Sequence, residues 1–279
     1  MATKKTAAST KKTVKKPAPS VKKTSTKVTT VKASAPAVAT SRSARFKFSR
    51  APLLAASIAE FVGTFLLAMV VLAASGQPLF VLFAVLGIVL VVGGVSGAHL
   101  NPALTIGALA TKRITLVRAV SYVVAQVLGA LLALVVLNAF VSAAPAVSEQ
   151  AQQFGQAAPT LFTAPDIASG TEWTVLTAEL LGSVVLALGV AAALRSRAGS
   201  VAHALTYGGV AYIALLVAGT AANYVGAAAI VNPALAGSLQ ALDFGSIWPL
   251  LAYVVTPLVG GVIGFALSDL LQSESEASA

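Results

Sequence analysis

Residues 96–105 read Ser-Gly-Ala-His-Leu-Asn-Pro-Ala-Leu-Thr, and a shorter copy of the pattern, Val-Asn-Pro-Ala-Leu, occurs at 231–235. An Asn side chain accepts a hydrogen bond from an unpaired amide at a helix start, and Pro suits the first helical position. Each Asn-Pro-Ala therefore predicts the beginning of a helix. The first of these helices has room for only about ten residues before Lys112, or roughly 15 Å, which is half of a bilayer core.

The composition of the whole chain is typical of a membrane protein with several spans. The 279 residues are 57% hydrophobic and 10% charged, and the mean hydropathy is +0.87. The chain has no cysteine, two histidines and nine acidic residues. No nucleophile–base pair or metal-ligand cluster is apparent, so we expect neither an enzyme nor a bound metal or cofactor.

Charge is distributed unevenly along the chain. Residues 1–50 hold 14 of the 19 Lys and Arg and no acid, whereas residues 51–279 have a net charge of −4. Residues 1–50 are too polar to form a core, which predicts a disordered, basic cytoplasmic tail in contact with anionic lipid headgroups. A nucleic-acid-binding arm is the alternative, but the segment lacks interleaved aromatic residues. Residues 272–279 are expected to form an acidic C-terminal tail.

Six apolar runs are long enough to span a membrane, and two more have half that length. The predicted spans are 52–74, 79–97, 116–141, 173–194, 203–222 and 247–270, and the half-length segments are 101–111 and 232–241. Three aromatic side chains near span ends are expected to anchor the helices at the membrane interface: Trp173, Trp248 and Tyr253.

The basic residues between the spans orient the chain. Lys112, Arg118, Arg195 and Arg197 all fall on the same side as the basic tail if the chain crosses six times. Because positively charged loops stay in the cytoplasm, we expect a multi-pass protein of the cell membrane with both termini cytoplasmic.

The two halves of the chain are copies of each other. Asn101 and Asn232 lie 131 residues apart, as do Tyr122 and Tyr253, and the segment Ala-Glu-x-x-Gly-Thr at 59–64 recurs as Ala-Glu-x-x-Gly-Ser at 178–183. Each copy has three spans, an odd number, so the second copy enters from the opposite side. The sequence predicts an inverted repeat, with halves at about 53–141 and 172–270, inside a single channel domain, 51–271.

The two half-length helices should then meet at their starting ends near the middle of the membrane. Irregular backbone at that depth is tolerated where it lines a wet cavity. Helix N-termini and Asn amides favour neutral solutes with oxygen acceptors and oppose cations. The predicted pore centre consists of Asn101, Pro102, Ala103, Asn232, Pro233 and Ala234. A passive channel fits this best, and a secondary transporter, which would need a charged or ion-coordinating cluster near the middle, is the alternative.

The chain resembles the aquaporin family, the major intrinsic proteins. The resemblance rests on residues 96–105, the second Asn-Pro-Ala, the repeated Ala-Glu-x-x-Gly motif and Tyr-x-x-x-Gln-x-x-Gly-Ala at 122–130, and it covers about residues 53–270. It implies an all-α membrane protein with six transmembrane helices and two re-entrant half-helices, a pore in each protomer and a homotetramer. Water, glycerol, urea and ammonia are all candidate solutes.

The selectivity filter departs from the family pattern. Most members have Arg directly after the second Asn-Pro-Ala, where this chain has Leu235. Counting back as in the family gives Val81, Thr220 and Ala229 as the other filter positions, with Ala218 in place of Thr220 if the preceding loop carries a gap. This filter is expected to be wider and more apolar than that of a strict water channel.

Three buried polar residues are expected to support the pore: His99, Glu60 and Glu179. His99 is expected to line the pore or to form a hydrogen bond. An intramembrane carboxylate suggests a proton relay. The repeat favours another role, in which Glu60 and Glu179 accept hydrogen bonds from the irregular backbone before each half-length helix.

Overall fold

All regular structure in the described part of the chain is helical. The computed structural model describes residues 52–195 and 199–277, so the predicted basic tail 1–50, Arg197 and the last two residues lie outside the described residues. Six helical segments are long and apolar enough to cross a membrane, which confirms the predicted all-α fold. The helices are α1 Leu53–Ala73, α2 Pro78–Ser96, α3 Pro102–Ala110, α4 Leu116–Ser142, α5 Glu149–Gln153, α6 Glu172–Arg195, α7 Ser200–Asn223, α8 Pro233–Ser238, α9 Trp248–Leu250 and α10 Thr256–Ala277.

The half-length helices α3 and α8 end in the same way. Lys112 and Gln240 adopt left-handed conformations, with φ of 59° and 54°. The amide of the next residue reaches back to the helix, from Arg113 to the Ala108 carbonyl (2.8 Å) and from Ala241 to the Ala236 carbonyl (3.0 Å). This geometry closes a helix C-terminus and usually uses glycine. The predicted extent of the second half-length helix, to residue 241, is therefore too long.

The two halves of the chain interlock. Within each half the first span packs on the third, α1 on α4 and α6 on α10, and α2 packs on α7 between the halves. Each half-length helix packs against the third span of the other half, α3 on α10 and α8 on α4. The contact between α3 and α10 is so close that a Cβ atom on Gly107 would lie 2.5 Å from the Gly261 carbonyl oxygen.

The last span begins irregularly. After α9 the chain forms a π-helical turn, Leu251–Val255, and then continues as α10 to Ala277, so the helix extends into the segment expected to be a tail. Tyr253 lies in the π-helical turn and is only 1% exposed, so its predicted role as an interface anchor is wrong. Trp173 is 71% exposed and packs edge-on against Trp248 at 5.7 Å.

The two ends of the bundle differ in charge. At one end, here called the basic end, Arg113 and Arg195 both form ion pairs with Asp269 of α10. The opposite end carries residues 143–171, which contain no Lys or Arg. This connection forms hydrogen bonds with both halves. The Phe162 amide donates to the Leu72 carbonyl, and the Ala164 amide donates to the Leu239 carbonyl.

Candidate pore

Asn101 and Asn232 are bonded across the repeat. Each side-chain oxygen accepts from the backbone two residues ahead, Ala103 at 2.8 Å and Ala234 at 3.1 Å, and so caps its own half-length helix. The Asn101 Nδ2 atom donates to the Val231 carbonyl at 2.8 Å, and Asn232 Nδ2 donates to the Leu100 carbonyl at 2.9 Å. The two half-length helices are therefore joined start to start by crossed hydrogen bonds. Each amide group keeps a second hydrogen for another acceptor.

The residues immediately before the asparagines hold the backbone in an unfavourable conformation. Leu100 and Val231 have φ of 56° and 55°, the left-handed region. This conformation costs an ordinary L-residue roughly 1–2 kcal/mol. It is stabilised because each amide donates to a buried carboxylate, Leu100 to Glu60 at 2.6 Å and Val231 to Glu179 at 2.8 Å. Each carbonyl accepts the crossed bond from the asparagine of the other half.

Glu60 and Glu179 make the backbone hydrogen bonds that were expected of them. Both are 0% exposed. Glu60 also accepts from the His99 amide at 2.8 Å, and Glu179 from the Ile230 amide at 2.5 Å. The two halves differ at one point, since Glu60 accepts a third bond, from Gln126 Nε2 at 2.8 Å. Both carboxylates thus shape the loops that precede the half-length helices.

Three cavities follow one another along the bundle. The wide cavity, at the end opposite the basic end, has a volume of about 550 Å³, and its lining includes Gln77, Phe162, Leu215, Gly219, Thr220 and Ala229. The narrow cavity has a volume of about 60 Å³, and its lining includes Val81, Asn101, Tyr207, Leu215, Ala229, Asn232 and Leu235. The basic cavity, of about 380 Å³, lies at the basic end and is lined by Ser96, His99, Ala108, Arg113, Ile114, Thr115, Arg118, Leu194 and Arg195.

The narrow cavity brings together most of the predicted filter. Val81, Ala229 and Leu235 all line it. Thr220 lines the wide cavity instead, and Leu215, five residues earlier, lines both cavities. Leu215 is therefore the α7 residue that lines both the wide and the narrow cavity.

The alternative filter position, Ala218, lines none of the three cavities. It is fully buried against α6, where a Cβ atom on Gly182 would lie 2.8 Å from the Ala218 Cβ atom. The filter position on α7 was found by counting back from Asn232, which assumes that the loop between α7 and Asn232 has a fixed length. Here α7 continues to Asn223, and the chain then turns at Gly226, where φ is 71°.

The proline and alanine of each motif have a supporting position. Pro102, Ala103, Pro233 and Ala234 form the first turns of α3 and α8 and line none of the three cavities. They fix where each half-length helix begins, and only the two asparagines of the predicted pore centre face the narrow cavity.

His99 lines the basic cavity. Its Nδ1 atom is 3.2 Å from Thr105 Oγ1, and its ring packs edge-on against Tyr122. Partial burial lowers the pKa of Arg113 in the same cavity, and the hydrogen bond with Asp269 opposes this shift. Arg113, Arg118 and Arg195 line this cavity, and two of them form ion pairs with Asp269.

The sequence analysis missed two residues that line the narrow cavity, Tyr207 and Leu215. They lie on one stripe of α7 with Ala211 and Ala214, and all four line the narrow cavity. Their spacing of four, three and one residues is that of a single helix face. This spacing can be read from the sequence, although nothing in it distinguishes Tyr207 from Tyr212 on the same helix.

The six spans and the crossed asparagine pair define a multi-pass membrane protein whose two halves meet at their half-length helices. A family model, described as Major intrinsic protein, matches residues 47–267. The chain belongs to the major intrinsic protein family, the aquaporins and glycerol facilitators.

Individual relatives agree with this assignment. Aquaporin-1 of Sus scrofa is 32% identical over 64% of this chain, and the alignment spans 60% of the relative's length. Glycerol uptake facilitator protein-like 6 of Lactiplantibacillus plantarum is 29% identical over 78% of this chain and 98% of its own length. The X-ray structure of the aquaglyceroporin from Plasmodium falciparum matches 78% of this chain at 19% identity with a TM-score of 0.53, and so supports the fold.

Proposed function

We propose that the chain is a passive channel for water and small neutral solutes, with glycerol as the larger candidate. The observation that carries this proposal is the crossed asparagine pair on the narrow cavity, which lies between two wider cavities. The pore centre in this proposal consists of Asn101 and Asn232, supported by their Asn-Pro-Ala turns. Two helix N-termini and two amide groups favour neutral oxygen-bearing molecules over cations.

The lining of the narrow cavity favours a channel over a coupled transporter. Its described lining residues include no Asp, Glu, Lys or Arg. A transporter that couples solute to an ion needs ligands for that ion near the middle of the membrane. The buried carboxylates Glu60 and Glu179 are already occupied by backbone amides, which fits a supporting role better than a proton relay.

We also propose which end of the helix bundle faces the cytoplasm. The basic end carries Lys112, Arg113, Arg118 and Arg195, whereas residues 143–171 and 224–247 contain no Lys or Arg. This charge difference supports a cytoplasmic basic end, with both chain termini in the cytoplasm and the basic tail near anionic lipid. We further propose a homotetramer in the cell membrane, as the family resemblance implies.

The test is solute flux in reconstituted vesicles. Stopped-flow light scattering should show faster water flux than empty vesicles, and parallel runs with glycerol and urea should define the solute range. Flux should not depend on a proton gradient. Uptake that requires such a gradient and disappears in Glu60→Gln would favour the transporter instead.

The filter is tested at Leu235. This side chain is buried at the narrow cavity, three residues after Asn232, so Leu235→Arg places a long cation in the path. We expect a severalfold drop in flux of the largest solute that the channel carries, with a smaller effect on water. Leu235→Met, which has similar length and no charge, is the matched control and should keep the wild-type ratio. An unchanged solute ratio in Leu235→Arg would contradict the filter assignment.

A further inference from the structure

The narrow and basic cavities are separated by a contact between two residues. Tyr207 lines the narrow cavity and not the basic one, and His99 lines the basic cavity and not the narrow one. The Tyr207 hydroxyl donates to the His99 carbonyl at 2.6 Å. This hydrogen bond therefore joins the lining of the cavity that contains the asparagine pair to the lining of the basic cavity.

Tyr207 is held firmly in this position. It is 3% exposed, and the ring of His203, one helical turn earlier on α7, packs against it at a centroid distance of 6.4 Å. The other α7 residues on the same cavity, Ala211, Ala214 and Leu215, have smaller side chains. The ring is therefore the largest side chain that α7 presents to the narrow cavity.

The acceptor of this bond is equally fixed. The His99 amide donates to Glu60, and the His99 ring nitrogen lies 3.2 Å from Thr105 Oγ1. The carbonyl therefore has little freedom to rotate away, and the tyrosine hydroxyl has a constant partner. Because the hydroxyl hydrogen is committed to this carbonyl, the oxygen offers a passing molecule only its lone pairs.

We infer that Tyr207 sets the upper size limit of the path, on the basic side of the asparagine pair. This inference rests on the proposed channel function and deepens it. The filter near Val81 and Leu235 is apolar, and the constriction at Tyr207 follows it. The molecules that pass this constriction are slim and neutral and donate hydrogen bonds, such as water and ammonia, whereas three-carbon polyols are retarded.

The test compares two changes at Tyr207 with two matched controls. Tyr207→Ala removes the ring, and Tyr207→Phe removes only the hydroxyl. Tyr212→Ala truncates another tyrosine of α7 that lines none of the three cavities. Tyr212→Phe removes only the hydroxyl of that same tyrosine, and so matches Tyr207→Phe. Each protein is checked by size-exclusion chromatography before reconstitution.

We expect Tyr207→Ala to raise the ratio of glycerol to water permeability severalfold. One neutral hydrogen bond shifts an equilibrium by roughly two- to tenfold, so Tyr207→Phe should give a rise of that order. The controls should keep the wild-type ratio.

The remaining outcomes separate the two proposals. If the wild type conducts water and both Tyr207 variants keep its solute ratio, Tyr207 does not set the size limit, and the channel function stands. A control variant that raises the ratio as much as Tyr207→Ala would also overturn the inference. If neither the wild type nor Tyr207→Ala exceeds empty vesicles, the channel function itself fails.

Discussion

Leu100 and Val231 connect the parts of the proposed pore centre. The backbone amide of each residue donates a hydrogen bond to the carboxylate of its own half. The carbonyl of each residue accepts a hydrogen bond from the asparagine side chain of the other half. The Val231 side chain also packs closely against α6, since a Cβ atom on Gly182 would lie 2.9 Å from Val231 Cγ2. One residue in each half thus links a buried charge, a helix start and the opposite repeat.

The buried carboxylates are the first target for mutation. In Glu179→Gln an amide group replaces one acceptor, so the Ile230 or Val231 amide would face another donor. An unpaired buried donor costs roughly 1–3 kcal/mol, and we expect a lower Tm by tryptophan fluorescence in detergent. Glu60→Gln should lower Tm at least as much, because Gln126 also depends on that carboxylate.

Glu149→Gln is the control for these variants. Glu149 lies exposed in α5, and its replacement should leave Tm unchanged. If Glu179→Gln kept the wild-type Tm, the two backbone hydrogen bonds would not be stabilising the loop.

At the level of helices, close contact depends on glycine where α3 crosses α10. A Cβ atom on Gly261 would overlap the Ala103 carbonyl, in the first turn of α3. Because this neighbour is backbone, it cannot rotate away as a side chain could. The position of the first half-length helix is therefore set by a residue of the opposite repeat.

Gly261→Ala should displace α3 and disturb the asparagine pair. We expect a fall in Tm together with a severalfold loss of water flux, since packing strain of this kind typically costs about 1–3 kcal/mol. Gly209→Ala is the matched control, because no atom lies within 4 Å of its added Cβ. Equal water flux in the two variants would mean that α3 does not depend on this contact.

The sequence predicted where the helices lie better than it predicted the residues at which they end. Long apolar runs place the spans because hydropathy sums over many residues. The end of α8 was missed since Gln240, rather than glycine, occupies the left-handed closing position. Thr220 was misplaced relative to the narrow cavity because counting along a loop ignores how far α7 continues. The Tyr207–His99 bond joins residues 108 apart, a pairing that no local pattern contains.

In the molecule as a whole, neither half completes the proposed pore centre alone. The crossed bonds take one donor and one acceptor from each half, and each half-length helix packs on the other half. The connection between them is exposed around Gly155, although Phe162 and Ala164 are bound to both halves.

A chain divided after Gly155 should therefore assemble from its two pieces. Co-expressed fragments 1–155 and 156–279 are expected to co-purify and to restore water flux, whereas either fragment alone should not. The undivided chain is the reference for flux. Fragments that each remain stable and monodisperse without the other would show that the crossed contacts are dispensable.

The crossed bonds also impose an order in time. A ribosome adds about 5–20 residues per second, so the chain between Leu100 and Val231 takes on the order of 10 s to appear. During that interval the Asn101 amide and the Leu100 carbonyl have no partner from the second half. An unpaired polar group in lipid is costly, so the first loop should stay hydrated until its counterpart arrives. We therefore expect the second half to pack against a first loop that is already hydrated.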